Sequence, residues 1–242
     1  MIKYLIIGGV AVVVVLICLG LAVASFAGEN FSNALNQARE KRNTYGLTAR
    51  DFVQEINNNH FNKSLSFARA EEYQDHYGGG EIALSSQTMM SNSLASMATI
   101  AHELGHARQD ATGDTLKKHF RLRKTGRFVG FFFMPNALAG VVLSLLYFFG
   151  VLEEKLYLYL GLGFLGMAFL IFLFALVLKY KEIKIEKEAS VFALDYLREF
   201  FTEPEVKICK EFLDSARLTY WADLFKTMLG WTMLTKNNKM FN

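Results

Sequence analysis

The apolar residues of this chain gather in three long, uninterrupted runs. They extend from Tyr4 to about Ser25, from Phe128 to about Gly150, and from about Leu156 to Leu178, and none contains a charged residue. A helix needs about 20 apolar residues to cross a bilayer, and each run reaches that length. The pattern therefore predicts a mainly α-helical membrane protein with three transmembrane helices.

The runs divide the chain into four segments. We predict a transmembrane anchor at residues 1–25, a polar segment at 26–127, a transmembrane hairpin at 128–178 and a polar, mainly helical segment at 179–242. Each polar segment is small for a core of its own, because a short chain buries little of its surface. We therefore expect the two polar segments to pack together as one domain that the hairpin interrupts.

The first apolar run has a second interpretation, as a cleaved signal peptide. Residues 25–27 (Ser-Phe-Ala) resemble a cleavage site, but the run exceeds 20 residues and only Lys3 precedes it. The apolar part of a signal peptide has about 7–15 residues. A lipoprotein site at Cys18 lacks the small residue expected just before the cysteine. The length favours a retained anchor.

Basic residues flank the runs on one predicted side of the membrane. They are Arg39, Lys41, Arg42 and Arg50 after the first run, Lys117, Lys118, Arg121, Arg123, Lys124 and Arg127 before the second, and Lys179, Lys181, Lys184 and Lys187 after the third. Lys and Arg concentrate on the cytoplasmic side of membrane proteins, where anionic lipids also attract them. Both polar segments are therefore predicted to be cytoplasmic. The net charge of +3 is small, and no nucleic-acid partner is expected.

Local patterns predict the elements of the first polar segment. Residues 30–54 and 64–72 have helical patterns, and the three glycines at 78–80 mark a break because they cannot hold a helix. Residues 81–85 alternate polar and apolar side chains, as a half-buried strand does. A second helical pattern begins near residue 92, with Ser91 or Asn92 as its expected N-cap.

Residues 102–106, His-Glu-Leu-Gly-His, lie within this second helical pattern. Positions four apart share a helix face, so His102 and His106 can bind one metal ion. Zinc makes water acidic, and a neighbouring carboxylate can take the proton as the water attacks a peptide carbonyl. We therefore predict His102 and His106 as zinc ligands and Glu103 as the general base of a metallopeptidase.

The motif can also arise by chance on an ordinary amphipathic helix. Two features of the sequence weigh against chance. Two of the five histidines fall within the motif. Gly105 lies between them, and glycine permits the close approach of a neighbouring element.

A catalytic zinc site needs a third protein ligand and one open coordination position. Glu186 and Glu188 follow the third run, and the two intervening runs return the chain to the side of His106. The two glutamates are about 200° apart on a helix, so both cannot face the same ion. Glu186 shares its face with apolar residues, Ala189, Ala193 and Leu197, whereas Glu188 lies near Phe192 and Asp195. The alternative for both is a solvated helix face among lysines.

The sequence resembles the YugP-type bacterial membrane zinc metallopeptidases. The resemblance is carried by Asp75-His76-Tyr77, by residues 93–109, by the Glu-x-x-Ala-Ser segment at 186–190 and by residues 216–220. The order of motif, membrane hairpin and glutamate is also similar to that of HtpX-type and CAAX-prenyl-protease-type enzymes. The resemblance implies a zincin-like domain in the membrane, a protein or peptide substrate, and Glu186 as the third zinc ligand.

The sequence departs from these families at two places. Gly78-Gly79 stands where the YugP-type family usually has Asp-Pro, which bears on the shape of the loop. Ser190 stands where the HtpX-type motif has Asp, and this removes a carboxylate that would support the site. Neither departure changes a predicted ligand or the predicted base.

Other residues have weaker functional interpretations. Thr219 and Tyr220 either donate a hydrogen bond to a developing oxyanion or cap the core. His76 is expected to be structural, and His60 and His119 are expected at the surface.

Two further segments also have alternatives. The strand at 82–84 is either an edge strand that pairs with an extended substrate or an ordinary buried strand. The apolar C-terminal segment with Trp221, Trp231 and the Leu224-Phe225-Met228-Leu229 cluster suggests an interfacial amphipathic helix. At about 15 residues it is short for a fourth span.

Two other classes of function compete with a peptidase. A catalytically silent membrane adaptor would use the zinc site structurally, but a structural site does not need Glu103. A metal transporter or sensor would carry ionisable residues within its spans, and the three runs contain no charged residue. The sequence therefore favours a membrane-bound zinc endopeptidase in contact with the lipid bilayer.

Overall fold

The computed structural model describes residues 2–72, 74–113 and 115–228 and is mainly helical. Its helices are α1 (Ile2–Glu40), α2 (Ala49–His60), α3 (Ser86–Met89), α4 (Leu94–Thr112), α5 (Thr115–Phe131), α6 (Phe133–Phe148), α7 (Lys155–Phe200) and α8 (Glu203–Met228). Its strands are β1 (Ser66–Ala70), β2 (His76–Gly78) and β3 (Glu81–Ser85).

Three helical stretches among the described residues are long and apolar enough to cross a membrane. They are Ile7–Glu40, Lys117–Phe148 and Lys155–Phe200. Each includes most or all of one apolar run, so the prediction of three membrane-length helices is confirmed. The helices continue well past the apolar runs into polar sequence, and α7 therefore carries both the third run and Glu186.

The chain forms two compact units. Among the described residues, the helical unit contains 2–26, 121–182 and 220–228, and the sheet unit contains 27–72, 74–113, 115–120 and 183–219. The sheet unit thus draws on both polar segments of the sequence.

The helical unit has a buried apolar cluster of its own. Its members are Phe133, Ala137, Ala168, Phe172, Ala175, Leu224, Phe225 and Met228. The last three come from the end of α8, where they are 4%, 8% and 2% exposed. These three side chains pack against protein, and the interfacial position of the C-terminal segment stays a prediction. Trp231 and Leu229 lie outside the described residues.

Strand order in the sheet unit is β1-β3-β2, with β1 parallel and β2 antiparallel to β3. Gly79 and Gly80 join β2 to β3 with positive φ angles of 60° and 88°, as the tightest hairpin turns require. The predicted strand at 81–85 is confirmed, but it is hydrogen-bonded to β1 on one side and to β2 on the other. The interpretation of residues 82–84 as a substrate-binding edge strand is therefore wrong, and the strand is an ordinary central one.

Two other local predictions need correction. The predicted helix at 64–72 is wrong, because residues 66–70 form β1 and pair with β3, a contact with sequence 15 residues away. The predicted helix at 30–54 is two helices, α1 and α2, with a break before Thr48. The Thr48 side chain caps α2 and forms a capping box with Asp51, which stabilises a new helix start at that point.

Helix α4 runs through the core of the sheet unit. Its N-cap is Ser93, whose hydroxyl accepts a hydrogen bond from the Ser96 backbone, rather than the predicted Ser91 or Asn92. Met97, Ile100 and Leu104 are fully buried along it, within a cluster that includes residues of α2, β3, α7 and α8. The motif helix is therefore held by packing along most of its length.

Candidate metal centre

Two elements of the sheet unit supply the predicted metal ligands. Helix α4 carries His102 and His106, and helix α7 carries Glu186. The ligand atoms of these three residues lie within 4.8 Å of one another. Glu186 Oε2 is 3.0 Å from Nε2 of His102 and 3.5 Å from Nε2 of His106. The glutamate thus meets two histidines that lie 80 and 84 positions before it in the sequence.

Gly105 allows the two helices to approach closely. A Cβ atom at this position would overlap the carbonyl oxygen of Ala189 and would lie 2.9 Å from its carbonyl carbon. These are backbone atoms, which cannot rotate away as a side chain can. Glycine is therefore required for α4 and α7 to bring His106 and Glu186 together.

Gln109 fixes the tautomer of His106. Its amide nitrogen donates to the Ile185 carbonyl at 2.9 Å and to Glu188 Oε2 at 3.0 Å. The amide oxygen therefore faces His106 Nδ1, at 2.9 Å, and this ring nitrogen must carry the hydrogen. The Nε2 lone pair of His106 is left to face Glu186, as a metal ligand requires.

Ser190 has the same effect on His102. Its hydroxyl donates to the Glu186 carbonyl at 3.0 Å, so its oxygen is an acceptor for His102 Nδ1, which lies 3.3 Å away. The serine therefore supports the His102 ring from helix α7. The Nε2 atom of His102 is thereby directed to the centre, 3.0 Å from Glu186 Oε2.

The Glu103 side chain is hydrogen-bonded to the backbone of β2. The backbone N–H of Tyr77 donates to Glu103 Oε2 at 2.7 Å. The Tyr77 hydroxyl donates to Asp110 Oδ2 at 2.9 Å and accepts from the Gly80 N–H at 3.0 Å. Burial, together with the bond to Asp110, raises the pKa of Tyr77 to about 12, so the phenol keeps its proton. Sequence analysis did not find this role for Tyr77, because backbone donors leave no signal in residue type.

His119 is buried, and its prediction as a surface residue is wrong. It is 6% exposed, and its Nε2 atom is 3.0 Å from Glu186 Oε1. Its ring stacks on His106 with centroids 5.7 Å apart and planes inclined by 12°. The polar residues that flank His119 in the sequence suggested that it is exposed to solvent. No spacing within a single helix connected it with the motif at residues 102–106. His60 is exposed, as expected, and His76, which was expected to be structural, is exposed as well.

The imidazoles determine the charge of the carboxylate between them. Burial alone would raise the pKa of Glu186, but the adjacent imidazoles of His102, His106 and His119 hold it well below its usual value. Glu186 is therefore ionised at neutral pH. Glu188, in contrast, is exposed and interacts with Gln109. The structure thus brings Glu186, and not Glu188, to the two histidines.

The two oxyanion candidates have other contacts. The Thr219 hydroxyl donates to the Ala216 carbonyl of its own helix at 2.6 Å. Tyr220 belongs to the helical unit, where the Lys179 ammonium lies 5.4 Å from its ring centroid. Neither contact supports a role at the centre.

Glu103 lines a cavity of about 420 Å³ in the sheet unit. One part of its wall is apolar, with Phe31, Leu35 and Phe212, and its polar lining includes Arg39, Arg42, Asp75, Ser96 and Thr99. Ligand-binding cavities usually have volumes of about 300–1,000 Å³. The predicted base is therefore accessible from a cavity large enough for part of a peptide.

The fold and the site define a mainly helical protein in which two histidines and a glutamate form a candidate metal centre. A family model described as putative neutral zinc metallopeptidase matches residues 12–235, and the chain belongs to that family. No curated protein and no solved structure matches the chain. The description of the family agrees with the predicted class, a zinc metallopeptidase, while the closer likeness to YugP-type enzymes stays a prediction.

Membership of this family implies zinc, and the residues fit that metal. Two histidines and one glutamate are a known ligand set of catalytic zinc sites. Tetrahedral zinc with bonds of about 2.0–2.1 Å places neighbouring ligand atoms about 3.3 Å apart. The separations of 3.0 and 3.5 Å at Glu186 Oε2 lie on either side of that value. Both histidines also present the nitrogen that is not engaged by Ser190 or Gln109.

Proposed function

We propose that the protein is a membrane-bound zinc endopeptidase in which His102, His106 and Glu186 hold the metal and Glu103 is the general base. The proposal rests chiefly on the meeting of these three ligands beside a cavity that Glu103 lines. The family match supports the class of enzyme.

The metal and the side chains have different roles in the proposed reaction. Bound zinc supplies a Lewis acid that polarises a peptide carbonyl and makes water more acidic. Glu103 accepts a proton from the attacking water and passes it to the departing amine. The Tyr77 N–H holds the carboxylate through Oε2, and we assign the proton transfer to Oε1. Gln109 and Ser190 keep the two imidazoles in the tautomer that binds metal.

The position of Glu103 favours an enzyme over a catalytically silent adaptor. Glu103 is outside the group of ligand atoms within 4.8 Å of one another, and it lines the cavity. A zinc site that served only the fold would usually have four protein ligands, and it would need no such carboxylate. The cavity favours a protein or peptide substrate, whose side chains its apolar and polar walls suit.

Metal removal tests the proposed activity directly. We expect the purified full-length protein to cleave misfolded membrane proteins, to stop after treatment with a zinc chelator, and to recover when zinc is restored. Cleavage is measured by the appearance of fragments on gels and by mass spectrometry of the new termini. Cleavage that continues unchanged in chelator, in protein shown to be free of metal, would contradict the proposal.

We further propose that both polar segments face the cytoplasm. The support is the distribution of Lys and Arg along the sequence, together with three helical stretches long enough to span a bilayer. The N-terminus and the short connection between α6 and α7 are then outside the cell.

Cysteine labelling tests this topology at two exposed positions, Lys207 and Glu153. In a Cys18→Ala background, we expect an impermeant thiol reagent to label Glu153→Cys in intact cells and Lys207→Cys only after permeabilisation. The native Cys209 gives little background, because burial and the nearby Glu205 raise its thiol pKa to about 12. Labelling of Lys207→Cys in intact cells would contradict the topology.

A further inference from the structure

The carboxylate of Glu186 has different neighbours at its two oxygens. Oε2 faces Nε2 of His102 and of His106, at 3.0 and 3.5 Å. Oε1 instead lies 3.0 Å from Nε2 of His119, at ion-pair distance, although the two atoms are not aligned as a hydrogen bond. The carboxylate is 2% exposed, so water does not compete freely for either oxygen.

We propose that His119 is a positioning residue that holds Oε1 of Glu186 and thereby presents Oε2 alone to the metal. The inference rests on the proposed function, in which Glu186 is a zinc ligand. A carboxylate can bind a metal through one oxygen or through both, and a donor on one oxygen favours binding through the other. Residues that orient a ligand in this way are a regular part of metal sites.

The position of His119 suits orientation better than direct binding. Among the described residues, the group whose ligand atoms lie within 4.8 Å of one another contains His102, His106 and Glu186, and not His119. The ring of His119 also stacks on that of His106, so one side chain restrains two ligands. The start of helix α5 therefore contributes a residue to the centre. None of the predicted ligands lies on this helix, and neither does the predicted base.

Three substitutions separate the polar contact with Oε1 from simple packing. His119→Leu removes the donor while keeping an apolar side chain of moderate size. His119→Gln keeps an N–H donor three bonds from Cβ, the same reach as the native Nε2. His119→Asn keeps the amide but shortens that reach by one bond.

The primary measurement is the zinc dissociation constant of the purified full-length protein, determined by competition with a chromophoric chelator. We expect His119→Leu and His119→Asn to bind zinc about 10- to 100-fold more weakly, as loss of an orienting partner usually does. His119→Gln should recover most of the affinity. The absorption spectrum of the cobalt-substituted protein should show the same number of nitrogen ligands in wild type and in His119→Gln.

His60→Leu is the matched control. His60 Nε2 lies 2.9 Å from Glu199 Oε2, so it forms the same kind of histidine–glutamate pair at an exposed place away from the centre. We expect zinc affinity to be unchanged in this variant. Circular dichroism of each metal-free variant checks that it is folded, and the Gln–Asn comparison remains decisive if the Leu variant is not.

Three outcomes would overturn the inference. Wild-type zinc affinity in both His119→Leu and His119→Asn would show that the contact does not position the ligand. Equal affinities in the Gln and Asn variants would show that reach to Oε1 is irrelevant. A cobalt spectrum that loses a nitrogen ligand in His119→Gln would make His119 a ligand itself. The first two leave the proposed function intact, whereas a wild-type protein without stoichiometric zinc would overturn both.

Discussion

Glu103→Gln should abolish peptide cleavage while leaving about one zinc ion per chain. The substitution keeps the shape of the side chain and an oxygen that can accept the Tyr77 N–H, but an amide cannot take a proton from water. General acid–base groups contribute about 10²- to 10⁴-fold to rate, so we expect a fall of about 10³-fold in kcat. The rate is measured on a quenched peptide or a membrane-protein substrate, and zinc by elemental analysis.

Glu81→Gln is the control for this experiment. Glu81 is an exposed glutamate of the same unit, and its substitution removes the same charge without approaching the centre. We expect normal activity and normal zinc content in this variant. If Glu103→Gln lost its zinc together with its activity, Glu103 would be acting on the metal and its assignment as the base would be wrong.

Glu186→Ala should lower zinc affinity more than about 100-fold, beyond the usual effect of losing an orienting partner, and should abolish activity. The expectation follows from the position of the Glu186 carboxylate between the two motif histidines. Glu188→Ala is the matched variant, two residues away on the same helix. Its exposed carboxylate accepts from Gln109, which is also held by the Ile185 carbonyl. We therefore expect Glu188→Ala to keep most of both properties.

Chelator competition and the cleavage assay measure the two variants side by side. Glu186→Gln, which keeps the volume of the side chain, shows whether a loss in Glu186→Ala comes from the missing ligand or from a cavity. Equal loss of zinc in the Glu186 and Glu188 variants would contradict the assignment. So would a zinc-bound structure with a Glu188 oxygen at the usual Zn–O distance of about 2.0–2.2 Å.

Local sequence patterns predicted the helices and the strand that depend on residues close together in the chain. The three apolar runs, the strand at 81–85 and the helix that carries residues 102–106 depend on residue type and spacing within short windows. The choice of Glu186 over Glu188 also had a local basis, since apolar residues share the face of Glu186. The elements are confirmed, and the structure places Glu186 beside the two histidines, while the roles of the residues stay proposals.

The features that sequence analysis missed depend on distant contacts. β1 is a strand because it pairs with β3, and its own residues carried a helical pattern. β3 is central and not an edge, which depends on two partners that its own sequence does not specify. His119 is buried because α5 brings it against Glu186, 67 residues further along the chain. Spacing rules within one helix cannot reveal such a contact.

Gly105 has a consequence for recognising relatives of this chain. Glycine inside a helix is about 1 kcal/mol less favourable than alanine, so an ordinary amphipathic helix gains nothing from it. Here the absence of a side chain admits the Ala189 carbonyl of the crossing helix. A database search that demands glycine at this position, and a small residue three places after the distant glutamate, should reject chance occurrences of the short histidine motif. It selects for two backbones in contact, a property of the fold, in addition to the chemistry of the side chains.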